Sequence, residues 1–116
     1  MARHEHLPIY KLSYELLGQV VQVTKEFPRE FKFTLGQRLR DEVIELLVLI
    51  YRANSQKEKA PIIAEILETI LVVELMIRLS HDLRILNKKH YAALALMTES
   101  LARQAEGWKK SATKLV

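Results

Sequence analysis

The sequence predicts an all-α protein, an antiparallel up-down-up-down bundle of four helices, on three observations. Apolar residues recur every three or four positions in four separate blocks, the spacing of one helix face. Glycine and proline number three each, too few to punctuate an all-β chain with its many turns. The breaks between blocks are short, and links that short hold neighbouring helices antiparallel. The 116 residues read as one domain, 1–116, with helices expected at about 8–27, 35–54, 58–86 and 88–113.

In the first block Ile9, Leu12, Leu16, Val20, Val23 and Phe27 form the seam. Pro8 suits a first helical turn, and Pro28 stops the helix. Arg29 to Phe33 reads as a linker, after which Thr34 is the expected N-cap, with Gln37 at capping-box spacing. The second block carries Leu39, Val43, Leu46, Ile50 and Ala53 and fades at Asn54-Ser55. Pro61 marks the first turns of the third, whose seam is Ile63, Ile66, Ile70, Val73 and Ile77. Asn87 is the expected cap of the fourth, which runs through Tyr91, Leu94, Leu101, Ala105 and Trp108 with Thr98 between. Trp108 is expected to pack on a neighbouring helix. Phe27, Phe31 and Phe33 are expected to plug the mouth of the bundle rather than stack on bases.

Two of these stripes are wider than one core needs. Val43 to Tyr51 is unbroken by polar residues except at Glu45, and Ile66 to Leu79 is similarly rich. A surface helix of a monomer shows polar residues opposite its stripe. Apolar positions on most faces therefore predict a second buried surface, most simply between identical subunits. The alternative is that these two helices are the inner pair of the bundle.

Several classes of function are excluded by what the sequence lacks. With no cysteine, disulfides and thiolate metal sites are ruled out, and a cytoplasmic location fits. Met1 to His6 is polar, unlike a secretory leader. The richest apolar run, Ile62 to Leu79, is interrupted by Glu65, Glu68, Glu74 and Arg78, so no membrane span is expected. Di-metal bundles use Glu-x-x-His pairs, and no glutamate here is followed by histidine three residues on. Glu42 and Glu45 have arginine or solvent to pair with. His4 and His6 are a weak metal signature, and His81 and His90 flank the third link as structural or solvated residues. Gly18, Gly36 and Gly107 are isolated and build no phosphate loop. The chain is expected to be no enzyme and to need no cofactor.

Charge is the positive signal. From Lys88 onward six basic residues (Lys88, Lys89, Arg103, Lys109, Lys110, Lys114) face two acids, Glu99 and Glu106, whereas the first 87 residues carry twelve of each. All of the formal +4 therefore sits on the last helix. At about 100° per residue, Lys88, Lys89, Arg103, Lys110 and Lys114 fall within an arc of roughly 100° away from the seam. Glu99 and Glu106 share that arc, as a merely solvated face would have it. The C-terminal lysines complement the helix dipole, but Lys88 and Lys89 oppose it at about 0.3–1 kcal/mol each. Those two ask for an external anion, and a polyanion such as RNA or DNA fits.

Topology brings Arg29, Lys32, Arg38 and Arg40 to the same end as Arg84, Lys88 and Lys89. Glu26, Glu30, Asp41, Glu42 and Asp82 dilute that end, and the other end gathers Arg52, Lys57, Lys59 and Lys109. The candidate nucleic-acid-binding residues are thus Lys88, Lys89, Arg103, Lys110 and Lys114, with Arg38 and Arg40 added.

Particular words of the sequence point further. Phe27-Pro28-Arg29-Glu30 is followed by Thr34-Leu35-Gly36 and Leu39-Arg40, then Ile50-Tyr51-Arg52-Ala53-Asn54. Later come Ile77-Arg78-Leu79-Ser80-His81-Asp82-Leu83 and Gln104-Ala105-Glu106-Gly107-Trp108-Lys109-Lys110-Ser111. Together, from Leu7 to Ser111, these resemble the accessory variability proteins (Avd-like) of diversity-generating retroelements. That group is related to the four-helix proteins encoded in intervening sequences of bacterial large-subunit ribosomal RNA. The latter carry an Asn-Ile-Ala-Glu-Gly run where this chain has Ala53-Asn54-Ser55-Gln56-Lys57, and the Gly107-Trp108 ending resembles the retroelement branch. The resemblance implies a homopentameric barrel with a basic surface, binding the element's reverse transcriptase and its RNA or DNA template during mutagenic copying. It implies a non-catalytic protein. The alternatives are an intervening-sequence-type protein, or a structural oligomeric bundle that binds no nucleic acid.

Overall fold

A computed structural model describes residues 3–114, with the side chains of 3–113. After a single 3₁₀ turn at His4–His6 the chain forms α1 (Pro8–Thr24), a one-turn α2 (Arg29–Lys32), α3 (Leu35–Ser55), α4 (Ala60–Asp82) and α5 (Lys88–Lys114). No strand occurs among the described residues. Each long helix packs on the next, and α1 packs on α5, which closes a four-helix bundle about 47 × 20 × 18 Å in extent.

The apolar rows meet in its centre. Leu16 and Val20 of α1, Leu39, Val43, Leu46 and Ile50 of α3, Ile63, Ile66, Ile70 and Ile77 of α4, and Leu94 and Leu101 of α5 are fully buried. Each such side chain stabilises the fold by about 1.5–3 kcal/mol through water release. The β-branched isoleucines of α4 are a poor choice for helix propensity and a good one for a rigid core, because their χ1 is already restricted. Packing wins over propensity there.

Helix boundaries differ from the expected ones at the links, where local hydrogen bonds decide. α1 stops at Thr24 rather than at residue 27: Glu26 and Phe27 donate to the carbonyls of Val23 and Thr24 at 3.1 and 3.2 Å, a tightening to i−3 bonding. Phe27 is nevertheless buried. The expected linker is partly helical, since Phe31 and Lys32 both donate to Pro28 O. That turn removes the capping box: Thr34 Oγ1 donates back to Glu30 O at 2.8 Å and makes no cap bond. Gln37 instead bonds Asp41 and accepts from Arg40. Gly36 lets α3 approach closely, because a Cβ there would lie 3.3 Å from Phe31 O and 3.4 Å from Thr24 Cβ. Of the phenylalanine trio, Phe27 and Phe31 pack inward, but Phe33 is 67% exposed and plugs nothing.

The second link is held by one side chain. Lys59 Nζ donates to the carbonyls of Ala53, Asn54 and Gln56 at 2.9, 3.1 and 2.7 Å, satisfying the open end of α3. α4 starts at Ala60 rather than 58 and ends at Asp82 rather than 86. It ends there because Arg84 takes a left-handed conformation, φ 64°. Its N–H reaches His81 O at 2.9 Å, and that of Ile85 reaches Ser80 O at 3.0 Å. This is a Schellman closure with arginine in the position glycine favours. Asn87 then caps α5 as expected, its Oδ1 accepting from His90 N–H at 2.7 Å.

A left-handed arginine costs about 1–2 kcal/mol, partly offset in a Gly variant by the looser unfolded chain. Arg84→Gly is therefore expected to raise stability by about 0.5–1 kcal/mol, read as an increased urea midpoint at unchanged slope.

Candidate nucleic-acid interface

The third link determines how α5 presents its charge. With Arg84 turning the chain and Asn87 capping, Lys88 and Lys89 stand in the first turn of α5, exposed. Neither forms an ion pair with any described residue. Arg84, also exposed, is unpaired in the same sense. This leaves three cations close together in sequence beside unused helix N–H groups.

Further along α5 the charge is less free. Arg103 Nη1 bonds Glu99 Oε1 at 3.0 Å, both exposed, so the pair contributes little to stability. Lys110 is exposed and shares a shallow depression with Glu106, Lys109 and Thr113. Lys114 ends the helix, and its side chain lies outside the described residues. Lys88 and Lys110 are 22 positions apart, about 33 Å along the axis. The candidates on α5 form a stripe rather than a single patch. Leu96 interrupts it at mid-helix, 68% exposed. The signal for Leu96 was present in the sequence: it lies off the Leu94–Leu101 seam.

Arg38 and Arg40 have different surroundings. Arg38 is exposed and bonds Glu42 at 2.9 Å. Arg40 is half-buried, and its guanidinium donates to Thr24 Oγ1 (2.7 Å), Lys32 O (3.2 Å) and Gln37 Oε1 (3.1 Å). It braces α3 against the end of α1. Lys59, at the other end, is similarly occupied with the α3 carbonyls. Charge counting along the chain registers neither role.

The histidines serve packing and grooves. His81 stacks on Tyr91 with ring centroids 4.5 Å apart and 18° between planes, joining α4 to α5. His4 makes T-shaped contacts with Tyr10 and Tyr51, ring centroids 5.0 and 4.7 Å apart. His90 lines a groove with Glu15, Gly18, Gln19 and Gln22 of α1. Trp108 is half-buried against the core as expected and borders a second groove with Leu7, Pro8 and Gly107. Among the described residues no three His, Asp or Glu side chains gather to hold a metal ion, and no helix is long and apolar enough to cross a membrane.

A family model described as bAvd-like matches residues 8–112, nearly the whole chain. No curated protein matches it.

Because Arg40 satisfies three acceptors at a half-buried position, Arg40→Ala is expected to cost about 1–3 kcal/mol. Arg38→Ala is expected to stay within about 0.5 kcal/mol. Paired thermal melts of the two variants check the contrast.

Proposed function

The chain belongs to the bAvd-like family, and from that premise we propose that it is an accessory protein of a diversity-generating retroelement. In this reading it has no catalysis of its own and acts in the cytoplasm. It binds RNA or DNA together with the element's reverse transcriptase during mutagenic copying. The observation that carries the nucleic-acid part is the placement of Lys88 and Lys89: exposed, unpaired and set against the helix dipole. A phosphate there would gain from both the ammonium groups and the helix N-terminus.

The assembly is part of the same reading. We take the helices as alternating up and down. In support, Arg40 near the start of α3 bonds Thr24 at the end of α1, while Tyr51 near the end of α3 meets His4 before α1. Two apolar faces then lie on opposite sides. Tyr10, Ile44, Leu47, Val48 and Tyr51 line a shallow groove on the α1–α3 side, extended by exposed Tyr14 and Val21. On the α4–α5 side, Leu71 and Leu75 line another with Tyr91 and Ala95, bordered by Glu74 and Arg78. Faces that differ and lie opposite suit head-to-tail packing of identical copies, which forms a ring where the rotation between copies closes. A ring of five is what the resemblance to the family implies.

A second reading, a structural oligomer whose charge only keeps it soluble, is favoured by the Arg103–Glu99 pair. It predicts no binding to nucleic acid even at low salt. Under the first reading, replacing Lys88, Lys89, Arg103, Lys110 and Lys114 with Glu abolishes RNA or DNA binding in a gel-shift titration, with helicity and oligomer mass unchanged. Wild-type affinity should fall steeply with salt, as phosphate contacts require. Val48→Glu, on the exposed apolar row, is expected to reduce the particle mass in light scattering; an unaltered mass would remove that face from the assembly.

A further inference from the structure

The seam between α1 and α5 carries two depressions. One, about 550 Å³, is lined by Glu15, Gly18, Gln19, Gln22 and His90. The other, about 300 Å³, is lined by Leu7, Pro8, Gln104, Gly107 and Trp108. Each depression contains a glycine that the fold does not need. A Cβ at Gly18 or Gly107 would meet nothing within 4 Å, and neither has a positive φ. Inside a helix glycine destabilises relative to alanine, so both positions sacrifice stability and leave the seam open. At Gly36, by contrast, a Cβ would be tight, 3.3 Å from Phe31 O.

A row of cations runs beside this opening, Arg103 among them paired with Glu99. On α5, Lys89, Leu96, Arg103 and Lys110 recur every seven residues, about 10.5 Å per step, which keeps them in one row. The next row toward α1 is Ala93, Ser100 and Gly107, all small. A cationic row therefore borders two depressions whose linings offer amides, an imidazole and an indole. The Glu15 carboxylate in the first lining repels phosphate and tolerates a base. Glutamine amides donate and accept as base edges do, and His90 and Trp108 present ring faces or edges.

Building on the nucleic-acid reading above, we infer that the α1–α5 seam holds a single strand of RNA or DNA. Its phosphates follow Lys89, Arg103 and Lys110, and its bases turn into the depressions at Gly18 and Gly107. A duplex, whose bases are stacked inside, reaches the cations but not the floor. This is the arrangement of a charged groove combined with sites for unpaired bases.

Two measurements test the placement. Trp108 is the sole tryptophan, so its emission reports on the seam in the unaltered protein. Titration with a mixed-sequence oligoribonucleotide should quench or shift that emission with the same midpoint as a gel shift. Emission unchanged at saturating strand overturns the placement. Second, Gly18→Leu and Gly107→Leu together fill both depressions with a good helix former. Helicity and Tm should hold or rise while single-strand affinity drops by about tenfold or more. Wild-type affinity retained in the folded double variant overturns the seam and leaves the broader nucleic-acid reading standing. Gln22→Ala with His90→Ala supplies the same comparison if the leucines disturb folding. Absence of any wild-type binding at low salt overturns both, and a duplex of the same sequence binding more tightly than the single strand overturns the choice of ligand.

Discussion

Everything on the surface of this bundle follows from the four apolar rows that must meet in its centre. Ile63, Ile66, Ile70 and Ile77 are buried in one core with Leu39, Val43, Leu46 and Ile50, and close-packed interiors admit one rotational setting per helix. Once the setting is fixed, each remaining residue is assigned a side. Leu71 and Leu75 are exposed because Ile70, Val73 and Ile77 occupy the inward positions of α4. Lys89 and Arg103 point outward because Leu94 and Leu101 point in. The surface pattern is thus a consequence of the core.

The core does not determine where the helices end. Those ends depend on polar side chains that satisfy open backbone groups, and each link uses a different device. Arg40 ties the first link, Lys59 closes the second, and Arg84 with Asn87 shapes the third. Arg40 and Lys59 are cations that composition alone would have assigned to the basic surface. A formal charge of +4 therefore overstates the mobile positive charge in one place and understates its concentration in another. With Arg40 and Lys59 set aside as structural, Arg84, Lys88 and Lys89 remain exposed beside one link, with no ion pair among the described residues.

What was legible in the sequence was whatever obeys the helical period. The four seams, Asn87 as cap and Pro8 and Pro61 as early-turn residues all follow from spacing and local sterics, and the structure bears them out. The misplaced features share a different origin. Phe27 fits the α1 period and is buried, yet the helix has already tightened, because burial and helical geometry are separate requirements. Thr34 with Gln37 has capping-box spacing, but a preceding helical turn offers the hydroxyl a nearer acceptor in Glu30. Arg84 has no sequence signal for a left-handed residue at all, since glycine or asparagine is the residue that announces it. The two depressions along the α1–α5 seam were illegible for a related reason: they depend on how two helices meet, which neither helix's sequence specifies alone.

The glycines sharpen the assignment of sides. If the bundle were under selection for stability alone, Gly18 and Gly107 would be the easiest positions to improve, since a methyl group fits both without moving anything. Apolar residues crowd the α1–α3 and α4–α5 faces, where a neighbouring copy would cover them. The α1–α5 side instead carries small residues, glutamines and the row of cations. Exposed Leu96 is the exception, a single large apolar group within that row, and its place at mid-helix puts it between the two depressions. A strand of alternating phosphates and bases has use for both kinds of surface, whereas a solubilising face has use only for the charge. Under the proposed reading, the combination of open depressions and a charged border, rather than net charge, is what would separate a binding surface from a solvated one here.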